Sequence, residues 1–306
     1  MSNKEYDVVI IGGGPAGLAA GLYTSRARLS SLMIEKALAG GLIVNSGTVE
    51  NYPGFPDGIG GYDLAELMSR QAGKYGLETL TAEVTGVELD GGRKIVSTTE
   101  GEVTARALIV AGGSERIKLG VPGEGEFTGR GVSYCAICDG SFFQDKVVAV
   151  VGGGNTAINE ALDLTKFAAR IIVVHRRQEL RATRILQERA FAEPKIEFRW
   201  DSVVESIEGG EMVRSLRLRN VKSGEKSVLE ISGVFVALGF TPNTGYLKGV
   251  VPLDEHGSVT TNEKMETGVP GIFAAGDIRS NSVRQVIAAS GDGATAAIYA
   301  EKYLAG

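Results

Sequence analysis

The sequence predicts an α/β fold with two doubly wound, three-layer units, on three observations. A β-branched run over residues 6–11 enters glycines spaced G-x-G-x-x-G at Gly12, Gly14 and Gly17; a helical stripe and a second strand, 31–34, follow and end on Glu35. The same order recurs from a strand at 146–151 through Gly152, Gly154 and Ala157 to a strand at 171–174, with His175 at the position of the acid. The third observation is compositional: glycine is 43 of 306 residues, about twice its usual ~7% share, with no collagen-like period. Such an excess suits tight turns and close backbone approaches, and the length suggests about two domains of ~150 residues.

The first strand reads as one buried on both faces of a parallel sheet. Its glycines let the backbone approach a pyrophosphate at the helix N-terminus, where free N–H groups and the dipole favour an anion, and Glu35 is placed to accept hydrogen bonds from an adenosine ribose. Gly40-Gly41-Leu42 and residues 49–54 are punctuated loops. Leu64, Leu67, Met68, Ala72 and Tyr75 share a helical face, and residues 77–110 read as short antiparallel strands ending in an apolar run. Residues 111–114 form a hinge candidate.

In the second repeat, Gly154, Asn155 and Thr156 open a helix with Ile158, Ala161, Leu162 and Thr165 on one side. Arg176 and Arg177 follow His175; guanidinium groups bind a 2′-phosphate that a carboxylate would repel, so NADP is preferred over NAD. Arg181, four residues beyond Arg177, joins the same anion site on a helix face. Strands return over 196–237, with Gly209-Gly210 and Ser223-Gly224 as hairpin turns, and 238–243 is a second link. Residues 271–277 form a buried strand that delivers Asp277, and the last helix carries Arg284 and Gln285 near its start. Its small residues Ala288, Ala289, Gly291 and Gly293 permit close packing.

Cys135-Ala136-Ile137-Cys138-Asp139-Gly140 holds both cysteines of the chain. A disulfide across so short a loop restrains the unfolded chain by less than the ~3 kcal/mol estimated for a loop of about 15 residues. Stapling the fold is therefore a poor account. Redox exchange, half of a zinc site and a pair of small buried hydrophobes remain; zinc needs two more ligands, but only His175 and His256 exist and no second C-x-x-C occurs. Redox exchange fits, with Asp139 a candidate proton donor to a departing thiolate.

Lys and Arg total 32 against 37 Asp and Glu, a net charge of −5, so no basic face for nucleic acid or an anionic membrane is suggested. No apolar run reaches the ~18 residues of a membrane span. Glu5 and Asp7 precede the first apolar run and glycines interrupt it, so it reads as a strand, not a signal peptide. A cytoplasmic, reducing compartment is expected, where an isolated C-x-x-C is more often catalytic than structural.

Two dinucleotide fingerprints with a dithiol just before the second resemble the bacterial low-molecular-weight thioredoxin reductases, and the likeness runs from Tyr6 to Leu304. It is carried by C-A-x-C-D-G, the G-R-G-V-S before it, H-R-R-x-x-x-R, and G-D followed by R-Q. The resemblance implies two Rossmann-like three-layer nucleotide-binding domains, an FAD domain of residues 1–113 with 244–306 and an inserted NADPH domain of 114–243. It implies FAD contacts from Gly12, Gly14, Pro15, Ala16, Gly17, Glu35, Gly41, Leu42, Asn51, Asp277, Arg284 and Gln285. NADPH contacts are implied for Gly154, Asn155, Thr156, His175, Arg176, Arg177 and Arg181. Two positions depart from the pattern: Leu42 stands where Gln is usual, removing a side-chain hydrogen bond near the flavin, and Gly112 stands where Thr is usual.

The resemblance further implies a homodimer, and electron flow from NADPH through FAD to a Cys135–Cys138 disulfide and on to a thioredoxin-like protein. In it Cys138 faces the flavin, Cys135 attacks the partner disulfide, Asp139 handles the proton, and the domains rotate about links near Gly113 and Gly239 between half-reactions. Competing readings keep FAD and the dithiol but make the chain a reductase for a peroxiredoxin system or an oxidase forming disulfides in a small molecule. Peroxiredoxin-reductase relatives usually carry an extra N-terminal region, whereas this chain opens on the FAD strand. A non-catalytic nucleotide sensor and electron supply by ferredoxin are further alternatives; the intact second fingerprint with Arg176 and Arg177 argues against ferredoxin.

Overall fold

The computed structural model describes residues 5–45 and 48–306. β1 (Glu5–Ile11) lies between parallel neighbours, β2 (Ser31–Glu35) and β8 (Gly101–Val110). Its side chains alternate between two layers, as the two-residue period of a strand demands. Val8 and Ile10 pack with α1 (Pro15–Arg26) and α6 (Val286–Ala305); Val9 and Ile11 pack on the opposite face with Val87 and Val96. The latter two belong to β6 (Val84–Asp90) and β7 (Arg93–Thr98).

Between β2 and β6 come a short antiparallel pair, β3 (Thr48–Val49) with β4 (Ile59–Gly60), then α2 (Gly61–Gly73) and β5 (Glu78–Thr81). β5 is parallel to β2, where the sequence suggested only antiparallel strands beyond Leu77. The reason is topological: α2 is a crossover, and a crossover returns the chain in the same direction. β6, β7 and β8 are antiparallel as expected. α2 buries Leu64, Ala65 and Ala72, while Leu67 is 41% exposed and Tyr75 lies beyond the end of the helix. The core face is thus rotated toward Ala65, leaving Leu67 at its margin.

β9 (Ser114–Arg116) and β18 (Phe240–Pro242) pair as a two-stranded sheet where the chain crosses between two compact units. One unit comprises the residues up to Glu115 with Thr241–Gly306; the other is Arg116–Phe240. These crossings lie within a few residues of the 113/114 and 243/244 boundaries that the resemblance implies.

In the second unit, β10 (Val132–Ser133) leads to α3 (Ala136–Asp139), β11 (Val147–Val151), α4 (Asn155–Leu164), β12 (Arg170–Val174), α5 (Arg184–Ala192) and β13 (Ile196–Arg199). An antiparallel sheet of β14 (Ser202–Gly209), β15 (Val213–Asn220) and β16 (Lys226–Glu230) precedes β17 (Gly233–Val236). Val148 and Val150 of β11 face α4, whereas Ala149 and Val151 face β14 and β15, giving helix, parallel sheet and antiparallel sheet as three layers.

In the first unit, which the chain re-enters at Thr241, β19 (Ile272–Ala274) pairs parallel beside β8. Four parallel strands run β5-β2-β1-β8 in one unit, with β19 also beside β8, and four run β13-β12-β11-β17 in the other, with β10 beyond β17. Both are the Rossmann-like order third, second, first, fourth, which leaves a ligand crevice at the carboxyl ends of β1 and of β11.

Candidate active site

In the first unit the glycine loop is closed by its own strand ends. Gly12 has φ 103°, and a Cβ there would strike the carbonyl of Ala111 at the end of β8. Gly13 N–H donates to Glu35 Oε2 (2.6 Å) and Ala37 N–H to Oε1 (3.1 Å). Glu35 therefore fixes the loop, while a carboxylate has acceptor sites to spare for ribose hydroxyls. Gly40 N–H donates to Gly13 O (2.7 Å), and a Cβ on Gly41 would lie 3.2 Å from Gly14 Cα. Gly14 has open space before it, and no side chain caps α1. The cradle fits a dinucleotide pyrophosphate on chemistry and space alike.

The other residues predicted for this cofactor gather nearby in part. Gly276 approaches Ala16, placing the turn that bears Asp277 beside α1, and Ser282 Oγ–H donates to Asp277 Oδ1 (2.8 Å). Asn51 Nδ2–H donates to Gln285 Oε1 (3.0 Å). Gln285 occupies the N-cap position of α6 without a side-chain capping bond, and Arg284, with φ 53°, stands just outside it. Leu42 is 42% exposed on a 3₁₀ turn. Gly112 is explained by Tyr246, whose hydroxyl lies 2.6 Å from where a Cβ would be, and Asn243 Nδ2–H holds the Gly112 carbonyl at 2.9 Å. Neither Tyr246 nor Asn243 was expected in this role, since nothing local pairs them with Gly112.

The second glycine loop repeats the device with a different side chain. A Cβ on Gly152 would meet the Ala237 carbonyl, and one on Gly153 would strike the His175 ring. His175 is buried, with Nε2 3.1 Å from Glu179 O. Burial, followed by the charges of Arg181, Arg176 and Arg177, holds the imidazole below its ordinary pKa despite the Glu179 contact, so the ring is neutral at pH 7. The positive charge at this site is that of the arginines. Arg176, Arg177 and Arg181 are exposed, and no ion pair engages them among the described residues.

One expectation is corrected here. Arg177 and Arg181 do not share a helix, because α5 begins only at Arg184. Instead Arg181 N–H and Ala182 N–H both donate to Gly153 O (2.7 and 3.1 Å), so the basic segment is docked on the glycine loop. Asn155 Oδ1 accepts from Thr183 N–H (2.8 Å) and ties α4 to the start of α5.

The cysteines form a disulfide, S–S 2.08 Å, at the head of α3, directly after β10. Both are half-buried, and Ile137 between them is 64% exposed. Ser133 links the pair to the acid: Cys135 N–H donates to Ser133 Oγ (3.1 Å), whose hydroxyl donates to Asp139 Oδ2 (2.6 Å). The signal for Ser133 was its place in G-R-G-V-S. Behind it Tyr134 donates to Glu124 Oε1 (2.9 Å); burial, then Glu124, pushes the phenol up to about 12. Among the described residues no group of His, Cys, Asp and Glu could hold a metal ion.

A profile of pyridine nucleotide-disulphide oxidoreductases matches residues 6–293. The chain belongs to that family. Among relatives in this oxidoreductase family, the thioredoxin reductase of Listeria innocua is 47% identical over 304 residues, 98% of this chain and 94% of its own. That of Streptomyces coelicolor is 48% identical over 302 residues, again 98% and 94%. The solved thioredoxin reductase of Streptococcus pyogenes superposes with a TM-score of 0.95 at 45% identity, covering 99% of each chain.

Proposed function

We propose that this oxidoreductase is an NADPH-dependent thioredoxin reductase, a cytoplasmic homodimer that binds FAD at the first glycine loop and NADPH at the second. The carrying observation is the half-buried Cys135–Cys138 disulfide wired through Ser133 to Asp139 in a chain whose relatives bear that name. Among the described residues no helix is long and apolar enough to cross a membrane.

The backbone of residues 12–17 cradles the FAD pyrophosphate, aided by Gly41, and Glu35 accepts from its ribose. Asn51, Asp277, Arg284 and Gln285 hold the remainder of FAD, beside Leu42. FAD supplies a two-electron carrier between nicotinamide and disulfide. On the second loop Gly154, Asn155 and Thr156 present backbone to the NADPH pyrophosphate, and Arg176, Arg177 and Arg181 hold the 2′-phosphate. His175 packs the loop from behind. Cys135 attacks the partner disulfide, Cys138 resolves the mixed disulfide, and Asp139 supplies a proton to the leaving thiolate.

The dithiol couple must lie near that of thioredoxin, ~−270 mV, since each ~30 mV of mismatch costs ~1.4 kcal/mol. Cys138→Ser is expected to keep bleaching of the yellow protein by NADPH in stopped flow and to lose thioredoxin reduction. Retained turnover with thioredoxin refutes the reading.

A further inference from the structure

A second acid stands behind Asp139. Glu160 lies on α4, which packs against α3, and its Oε2 is buried with no hydrogen-bond partner among the described residues. The charged groups facing it are Arg116 of β9, Asp163 of its own helix and Asp139 of α3. Arg116 is shared with another group, its guanidinium lying 5.1 Å from the Tyr134 ring centre. Tyr134 itself precedes Cys135 and is anchored on Glu124. The dithiol thus sits on a packed cluster of titratable side chains, of which Ser133 and Asp139 reach the cysteines and Glu160 does not.

A carboxylate with one oxygen sealed from water and unbonded is costly as an anion and tolerable as a neutral acid. Burial, ahead of the opposing pull of Arg116 and the push of Asp163 and Asp139, raises the Glu160 carboxyl to about 8. Glu160 is otherwise half-buried, so it can exchange its proton with solvent.

We propose that Glu160 takes up the solvent proton consumed in each turnover and delivers it through Asp139 to the departing partner thiolate. The inference rests on the thioredoxin-reductase reading. Reducing one disulfide to two thiols takes two electrons and two protons. The hydride of NADPH brings both electrons and one proton, which breaks the enzyme S–S bond and leaves Cys138 as a thiol and Cys135 as a thiolate. The other proton comes from solvent and is stored on Glu160. Cys135 then attacks the partner disulfide, whose S–S bond breaks, and the first leaving thiolate takes a proton from Asp139, refilled by Glu160. Cys138 loses its proton and closes the enzyme disulfide, releasing the second partner thiolate, which receives that proton. Both partner sulfurs end as thiols and Glu160 ends ionised, ready for the next solvent proton.

Glu160 acts through Asp139, so its signature is a pH profile. Glu160→Gln is expected to lower kcat/KM for thioredoxin at pH 7 by about tenfold or more and to lack the alkaline limb expected of the wild type near pH 8. A Glu160→Gln enzyme with the wild-type profile overturns the proposal. Cys138→Ser run beside it separates the two levels: turnover in that variant defeats the underlying reading, whereas its loss together with an unchanged Glu160→Gln profile defeats only the role of Glu160. A readout independent of any variant is carbon-13 NMR of the holoenzyme labelled at glutamate carboxyl carbons. One signal is expected to titrate near pH 8, and a set titrating entirely around the ordinary ~4.3 overturns the proposal.

Discussion

On the proposed reading Arg176 and Arg177 are expected to carry the discrimination between the two nicotinamide cofactors, because the neutral His175 ring adds no charge. Replacing both with Ala is expected to raise the KM for NADPH by about 10²-fold, on the order of 2.7 kcal/mol, within the range of charge-assisted hydrogen bonds. The KM for NADH should move by less than about threefold, and steady-state kinetics with the two donors will tell; equal effects on both contradict the assignment. Glu160 also makes folding pH-dependent. Its carboxyl is raised from 4.5 to about 8, so between those values the folded chain binds more protons than the unfolded one. The stability it contributes is complete below 4.5 and is lost as pH rises through about 8. The melting temperature of Glu160→Gln should therefore decline less between these limits than that of the wild type, and parallel curves would argue against a buried neutral acid. Residues such as Cys135, Gly12 and Glu35 were legible because spacing along the chain defines them. The Ser133–Asp139 bond and the orphaned Glu160 oxygen were not, since they arise from packing between segments.

At the level of elements, the α1–α6 contact is the one on which the first cofactor cradle is built. A Cβ on Gly293 would strike the Ala16 carbonyl in the first turn of α1, whereas around Gly291 there is open space. Gly293→Ala is expected to cost about 1–3 kcal/mol and to release flavin on gel filtration, while Gly291→Ala retains it; equal retention would show that the helices tolerate separation. The small residues of α6 revealed this packing in advance, although not its partner. Most strands were readable from β-branched runs, but the parallel direction of β5 was not, as direction depends on what lies between two strands. The docking of residues 181–182 on Gly153 was hidden for a related cause: an arginine-rich stretch looks the same on a helix or in a loop.

For the molecule as a whole, two Rossmann-like units were visible as a repeat, but periodicity does not say which segments join to complete each one; that expectation came from family likeness. Gly113 and Gly239, both with positive φ, flank the crossings. The nicotinamide site and the disulfide are both proposed on the second unit and the flavin on the first, so on that reading the donor nicotinamide and the acceptor disulfide are expected to take turns at the flavin by a hinge motion. Locking the units in one orientation with a chemical crosslink is expected to stop overall turnover and spare one half-reaction in stopped flow. Undiminished steady-state activity speaks against alternation.

The hydrogen bond from Asn51 to Gln285 spans 234 positions of sequence. During synthesis, the inserted unit has all its residues once Phe240 has emerged, but the outer unit lacks β19 and α6 until the last stretch leaves the ribosome. An order of maturation is expected from this: the dithiol unit can fold first and flavin can be captured only at the end. A ribosome-stalled chain ending before α6 should be colourless yet already hold the Cys135–Cys138 disulfide, and a yellow stalled chain would contradict that order.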